Sequence, residues 1–222
     1  MRRRGPTTVP DQQQHRNTSG HGTDTRTVLL KTAEKVFAEK GYNGARVAEI
    51  AAKAGVDKRL IFYYFNSKQG LYSQILEEFF REVQPLLEGF LRKSSARTQK
   101  VRLKTFLENM TEFICRHRDP VRILFREFLD RGVLLDTLTQ EYVRPILELW
   151  HTSYQSFFDL AAEEHRESDH MLLSLSGISL FYFLVAPLME KLWGEDPLSP
   201  GHIETRKRIV RRLLGAFDPS YS

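Results

Sequence analysis

Cysteine is all but missing from this chain. Cys115 stands alone among 222 residues, which rules out an internal disulfide and fits a reducing cytoplasm. Met1-Arg2-Arg3-Arg4 is followed by no apolar stretch, so neither a secretory nor a twin-arginine leader is expected. Strand-type alternation and internal repeats are absent too. No nucleophile–base pairing, phosphate loop or carboxylate pair stands out, so no catalytic residue is assigned and the chain does not read as an enzyme. Metal-ligand spacing is equally lacking. Cys115 and His117 lie two apart on a helical segment and diverge, and Cys115 reads as a small buried hydrophobe. His165 and His170, beside Glu163 and Glu164, straddle a helix boundary and read as a solvated turn. No metal or cofactor is expected. Long uncharged runs are rare. The one of note, Met171 to Met189, could just span a bilayer, but it contains Ser174, Ser176, Ser179, Gly177 and Pro187 and lacks a flanking cluster of Lys/Arg. A helix that is apolar all round also suits the interior of a soluble protein, so no membrane partner is expected.

What is present is helical periodicity. The hydrophobic fraction of 41% suffices for a core, and 27% charged residues imply solubility. Charge is distributed unevenly: residues 1–72 hold 13 Lys/Arg against 6 Asp/Glu, net +7, and residues 73–222 hold 20 against 22, net −2. Residues 1–24 cannot bury enough to fold and read as a disordered basic tail, solvated or lying in a DNA minor groove. From Thr25 to Lys40, Leu29, Ala33, Val36 and Phe37 make the apolar face of a first helix, stopped at Gly41.

The stretch Arg46–Phe65 reads as two short helices across a tight turn. Val47, Ile50, Ala51 and Ala54 share one face of the first helix. Gly55 supplies the left-handed stop, and Asp57 can accept a hydrogen bond from an N–H opening the second helix. In that second helix Leu60, Ile61, Tyr64 and Phe65 face inward. Lys58, Arg59, Phe62 and Tyr63 face out, a costly surface for solvent but a suitable one for a DNA major groove. Asn66-Ser67-Lys68 then opens a fourth helix whose free N–H groups and lysine can hold a phosphate. Leu71, Ile75, Phe79, Val83 and Leu86 point inward along it, and Pro85 is expected to kink or end it.

A fifth helix carries Leu103, Phe106, Leu107, Met110, Phe113 and Ile114, and a sixth runs from Asp119-Pro120 to about Asp130. The seventh is expected from Thr137 to about Glu164 with a bend at Pro145. An eighth, capped by Ser168 or Asp169, should end near Gly194, and Ser199-Pro200 opens a ninth. Phe106, Met110, Phe113, Trp150, Tyr154, Phe157, Phe181 and Tyr182 could line a cavity for a flat lipophilic or aromatic ligand, although each also suits ordinary core packing.

Gly41-Tyr42, Val47-x-x-Ile50-Ala51, Ala54-Gly55-Val56, Tyr63-Tyr64-Phe65, Ser67-Lys68 and Leu71 resemble the TetR family of transcriptional regulators over residues 25 to 75. Two departures stand out. The family's usual Thr or Ser cap is replaced by Arg46, which either weakens the helix start or points at a phosphate. A base-reading residue is replaced by Ala48, which leaves reading mainly to the second motif helix. The resemblance implies an all-α fold: a helix-turn-helix DNA-binding domain over 25–85 and a ligand-binding and dimerisation domain over 86–222. It also implies a homodimer on a pseudo-palindromic operator, with a small-molecule effector. Lys58, Arg59, Phe62 and Tyr63 are expected on base edges, and Arg46, Tyr64 and Lys68 on phosphates. Leu172, Leu175 and Ile178, with Val210, Leu213, Leu214 and Phe217, are expected in the dimer interface. Repression relieved by ligand is the expected mode; the alternative is a helical carrier or enzyme using the same cavity.

Overall fold

The computed structural model describes residues 19–91, 96–158 and 165–216, and among these every regular element is a helix. Helix α1 spans Ser19–Gly44 and is interrupted at Gly41, whose φ of 69° breaks the helical run. It starts six residues earlier than the sequence suggests, at Ser19 rather than Thr25; the rest of the tail lies outside the described residues. Its apolar stripe of Leu29, Ala33, Val36 and Phe37 is fully buried. Helices α2 (Val47–Ala54), α3 (Arg59–Phe65) and α4 (Lys68–Leu91) follow. Ile50 and Ala51 of α2, Ile61 and Phe65 of α3, and Leu71, Ile75 and Leu76 of α4 close a small core over α1.

Pro85 does not end α4. The helix continues through it to Leu91, and Phe90 and Leu91 pack with Trp150 and Leu175 in a second core. Burying two such side chains, about 1.5–3 kcal/mol each, offsets the roughly 3 kcal/mol that an internal proline costs. Helix α4 thus runs unbroken from the small N-terminal core into the C-terminal bundle.

The bundle comprises α5 (Ala96–Arg116), α6 (Arg118–Asp130), α7 (Leu135–Leu138), α8 (Arg144–Phe158), α9 (His165–Trp193) and α10 (Pro200–Ala216). Three expectations change here. His117, not Asp119, stands before the first residue of α6, with Asp119 and Pro120 inside its first turn. The expected seventh helix is split by a π-helical segment, Thr139–Val143, where the Arg144 N–H reaches back to the Thr139 carbonyl. Pro145 lacks an N–H and cannot tolerate a normal turn before it, so the irregularity falls ahead of the proline rather than at it. Ser168 does not cap α9; it is buried inside the helix, and its carbonyl accepts the Trp150 indole N–H at 2.7 Å. At the other end, Ile203 N–H bonds the Ser199 carbonyl at the start of α10, as the Ser199-Pro200 pair suggests.

Helix α9 is long and apolar enough to cross a membrane by length and composition. It is nonetheless tied into the bundle by polar contacts. Ser179 shares a buried hydrogen bond with Thr111 of α5, and Arg206 of α10 donates to the Ile178 carbonyl.

Candidate nucleic-acid interface and internal cavity

The α2–α3 turn is built from local chemistry. Gly55 adopts φ 70°, and the N–H groups of Gly55 and Val56 bond the Ala52 and Ala51 carbonyls at 3.2 and 3.1 Å. This left-handed glycine closes α2 and frees the chain to turn. Asp57 then opens α3: its Oδ1 accepts the Arg59 backbone N–H at 2.8 Å. The same carboxylate takes Arg59 Nε at 3.1 Å and a terminal guanidinium nitrogen at 2.9 Å. The guanidinium holds Asp57 down to a pKa of about 2.

Ile61 and Phe65 anchor α3 by burial, with Arg26 of α1 lying over the Phe65 ring at 5.4 Å. That fixes the opposite side outward. Lys58 and Arg59 are exposed, Phe62 is 49% exposed and Tyr63 is 76% exposed. Tyr64 is half-buried, its ring edge-on to Tyr63 at 5.0 Å. Lys68, at the start of α4, sits over the Tyr42 ring at 4.4 Å, and partial burial lowers its pKa. Ser67 caps that helix by accepting the Gly70 N–H at 2.9 Å. Arg46 is exposed at the start of α2 and makes no capping bond with its side chain. Glu49, three residues on, turns its side chain to lysines. Its carboxylate bonds Lys40 at 2.7 Å and pairs with Lys53 at 3.3 Å, which braces α2 against α1, and the Lys40 bond foremost lowers its pKa.

A cavity of about 180 Å³ lies between α4, α5, α6, α8 and α9. Phe106, Met110 and Trp150 line it. Other residues of the expected pocket stand elsewhere. Phe113 stacks on His117 at 4.1 Å within the α4–α5 core. Phe181 is 65% exposed on the outside of α9. Tyr182 turns toward α10, donating its hydroxyl to the Pro197 carbonyl at 2.9 Å beneath the Arg206 guanidinium. The side chains of Tyr154 and Phe157 lie outside the described residues. Sequence reasoning missed the α4 wall (Phe79, Phe80, Phe90) and the α6 wall (Val121, Leu124, Phe125, Phe128). The three-to-four-residue spacing on α6 was the available signal.

Helix α6 also reaches the N-terminal core. Glu127, only 2% exposed, accepts the Tyr72 hydroxyl at 2.8 Å and the Leu134 N–H at 2.9 Å. Next to it, Arg126 donates to the Glu39 carbonyl of α1 at 3.2 Å. The Tyr72 ring packs edge-on to Phe37 at 4.8 Å and against Tyr42 at 5.0 Å, the same ring that carries Lys68. Residues of one short helix therefore touch both the cavity and the base of the α3–α4 face.

The expected dimer residues divide differently. Leu172, Leu175 and Ile178 point into the subunit around Trp150 and Phe90, and Val210 is 1% exposed. Leu213 is exposed, and the side chains of Leu214 and Phe217 lie outside the described residues. The exposed apolar residues of α9 are instead Leu173, Phe181, Leu184, Leu188 and Leu192, and Ile209 and Leu213 of α10 are exposed as well. Because α9 is apolar on all sides, its periodicity could not tell the two faces apart.

Residues 29–75 match the family described as bacterial regulatory proteins, tetR family. The chain is 33% identical over 133 residues to the HTH-type transcriptional repressor NicS of Pseudomonas putida, covering 56% of this chain and 62% of that one. It is 23% identical over 184 residues to a probable HTH-type transcriptional regulator of Bacillus subtilis, YttP, covering 79% and 85%. Several relatives at 30% identity or more are matched over less than two thirds of their length. Among solved structures, a TetR-like transcriptional regulator from Rhodococcus sp. RHA1 superposes with a TM-score of 0.60 at 17% identity, covering 86% of this chain and 93% of the other.

Proposed function

We infer that this chain, a helix-turn-helix transcriptional regulator belonging to the TetR family of bacterial regulatory proteins, represses transcription from a pseudo-palindromic DNA site and leaves that site when a small lipophilic molecule fills its cavity. The observation that carries the DNA-binding half is the outer face of α3. Lys58, Arg59, Phe62 and Tyr63 stand exposed on a helix whose other side is locked into the core, with Lys68 one turn beyond. On this reading the first set meets base edges, and Arg46, Tyr64 and Lys68 meet phosphates. Residues 25–85 form the reader, and residues 86–222 the effector-binding and dimerisation part.

Two copies pair through the exposed apolar residues of α9 with Ile209 and Leu213, which forms an isologous interface. The twofold axis then places two readers on successive major grooves. The protein works in the cytoplasm, in contact with DNA. Repression is favoured because NicS is a repressor and because the switch below separates the two readers.

The switch runs through α6. A molecule in the cavity presses on Leu124, Phe125 and Phe128, and Glu127 on the same helix passes the displacement to Tyr72 and the start of α4. Each reader stays intact, but the pair no longer spans the two half-sites. Moving a population from 99:1 to 1:99 needs about 5.5 kcal/mol of differential binding, shared between two cavities. Saturating operator must weaken effector binding by the same factor.

Two substitutions test the reader. Arg59→Ala should cost about 1–3 kcal/mol on the best site and relax preference at one base position. Lys68→Ala should weaken binding to all sequences about equally and reduce the salt slope by roughly one. Wild-type behaviour of Arg59→Ala on both specific and random duplexes would remove this face from the account.

A further inference from the structure

The walls of the cavity specify the chemistry of its occupant, an inference that rests on the effector reading above. Among the described residues, no Lys, Arg, Asp, Glu or His lines it. Ser176 and the Trp150 indole are the polar side chains among the described residues of the wall, and the indole N–H is already given to the Ser168 carbonyl at 2.7 Å. An ionised carboxylate or ammonium placed there would lose its water and meet no counter-charge, a penalty that dispersion cannot offset. A neutral polar group needs a partner, and the described residues of the wall supply one hydroxyl.

Size and shape narrow the class further. An apolar cavity of about 150 Å³ engineered into another protein stays dry and binds benzene. The present volume of about 180 Å³ therefore admits one ring with a short alkyl substituent. The walls suit a ring: Phe79, Phe80, Phe90, Phe106, Phe125 and Trp150 surround the space. Phe90 and Phe106 stack on each other at 4.1 Å with 14° between their planes, so the α4–α5 side of the cavity is closed by a ring pair. Offset or edge contacts with such walls favour a flat guest over a flexible chain of equal volume, which must also give up rotamer freedom.

We propose that the effector is a neutral, hydrocarbon-rich molecule the size of an alkylbenzene, bearing at most one small hydrogen-bonding group, which Ser176 meets. Carboxylate and ammonium analogues of the same size are excluded.

The chain holds two tryptophans, and Trp193 is 46% exposed on the far end of α9. The full-length Trp193→Phe protein therefore reports on Trp150 alone. It is titrated with toluene, ethylbenzene, benzyl alcohol, benzoate, benzylamine and octanoate, following Trp150 emission and the melting temperature. Saturable changes with toluene and ethylbenzene are expected, with the charged compounds at least 100-fold weaker. Ser176→Ala should weaken benzyl alcohol several-fold and leave toluene unchanged. Benzoate, benzylamine or octanoate binding as tightly as toluene would overturn the proposal, as would the absence of any saturable toluene signal. A parallel arm adds toluene to the protein–operator complex. Toluene seated at Trp150 without loss of DNA affinity would keep the occupant's class and sink the effector reading. Release by a charged compound and not by toluene would do the reverse.

Discussion

Tyr72→Phe isolates the joint between the two halves of the molecule. It removes one oxygen and keeps the ring between Phe37 and Tyr42. Glu127 Oε1 then loses the 2.8 Å bond from Tyr72 in a site only 2% exposed, while Oε2 keeps the Leu134 N–H. Leaving a buried acceptor unsatisfied costs about 1–3 kcal/mol. For a chain of this length each kcal/mol lowers the melting temperature by about 2–4 °C, so a 2 kcal/mol loss should lower it by about 4–8 °C. The alkaline limb gives a second readout. Burial foremost, then the bond to Glu127, holds the Tyr72 pKa far above its ordinary value. A raised tyrosine pKa contributes stability that is complete below the unfolded value, about 10, and is lost as pH rises beyond it. Wild type should therefore lose stability above pH 10 more steeply than Tyr72→Phe does. Tyr182→Phe is the control: it too gives up a hydroxyl bond, to the Pro197 carbonyl, but away from the joint. Both variants should be destabilised, and Tyr72→Phe alone should change operator affinity and its response to a cavity ligand. An unchanged melting temperature and unchanged DNA response in Tyr72→Phe would refute the coupling through Glu127.

Three further outcomes follow from the same contacts. Gly132→Ala would place a Cβ 2.2 Å from Glu127 Oε2, so it should break the joint from the other side and reproduce the DNA phenotype of Tyr72→Phe; wild-type response in this variant would count against the joint. If two copies pair as proposed, Leu184→Glu, among the outward residues of α9, should give a monomer when mass is measured at micromolar concentration and wild type a dimer, whereas Leu175→Glu, in the subunit core, should unfold the chain instead. Asp57→Ser keeps a side chain able to cap α3 but frees Arg59 and removes a negative charge from the DNA side. Binding to random duplex should rise and discrimination between operator and random duplex should fall. Since the Asp57 pKa is lowered to about 2, its pairing with Arg59 should be complete above pH 4 and be lost only as pH falls through 2, which the Asp57 carboxyl chemical shift would report.

The helix-turn-helix was legible in the sequence because each of its parts is local. Gly55 and Asp57 shape the turn through neighbours within a few residues, and Ile50, Ile61 and Phe65 repeat at helical spacing over a short span. The bundle was less legible because its decisive contacts are distant or degenerate. Glu127 looks like any charge near a helix end; its partner Tyr72 lies 55 positions away, and no local pattern marks the carboxyl as buried. Helix α9 offers apolar residues on every side, so Leu172, Leu175 and Ile178 were expected at the interface when they fill the core and Leu184 and Leu188 stand outside. Pro85 suggested an end to α4, which hid the contribution of Phe90 to the cavity. The split at Thr139–Val143 was displaced from the proline that explains it by the reach of a single helical turn.

The claim that α3 of this protein reads DNA is tested most directly by selecting duplex fragments with the purified wild-type chain and titrating the best one, and a random duplex of equal length, across a range of salt concentrations. Two chains per selected duplex, a pseudo-palindromic sequence, affinity that falls steeply with salt, and at least about a 10³-fold preference over random DNA are expected. Equal affinity for selected and random duplexes at every salt concentration would contradict the claim.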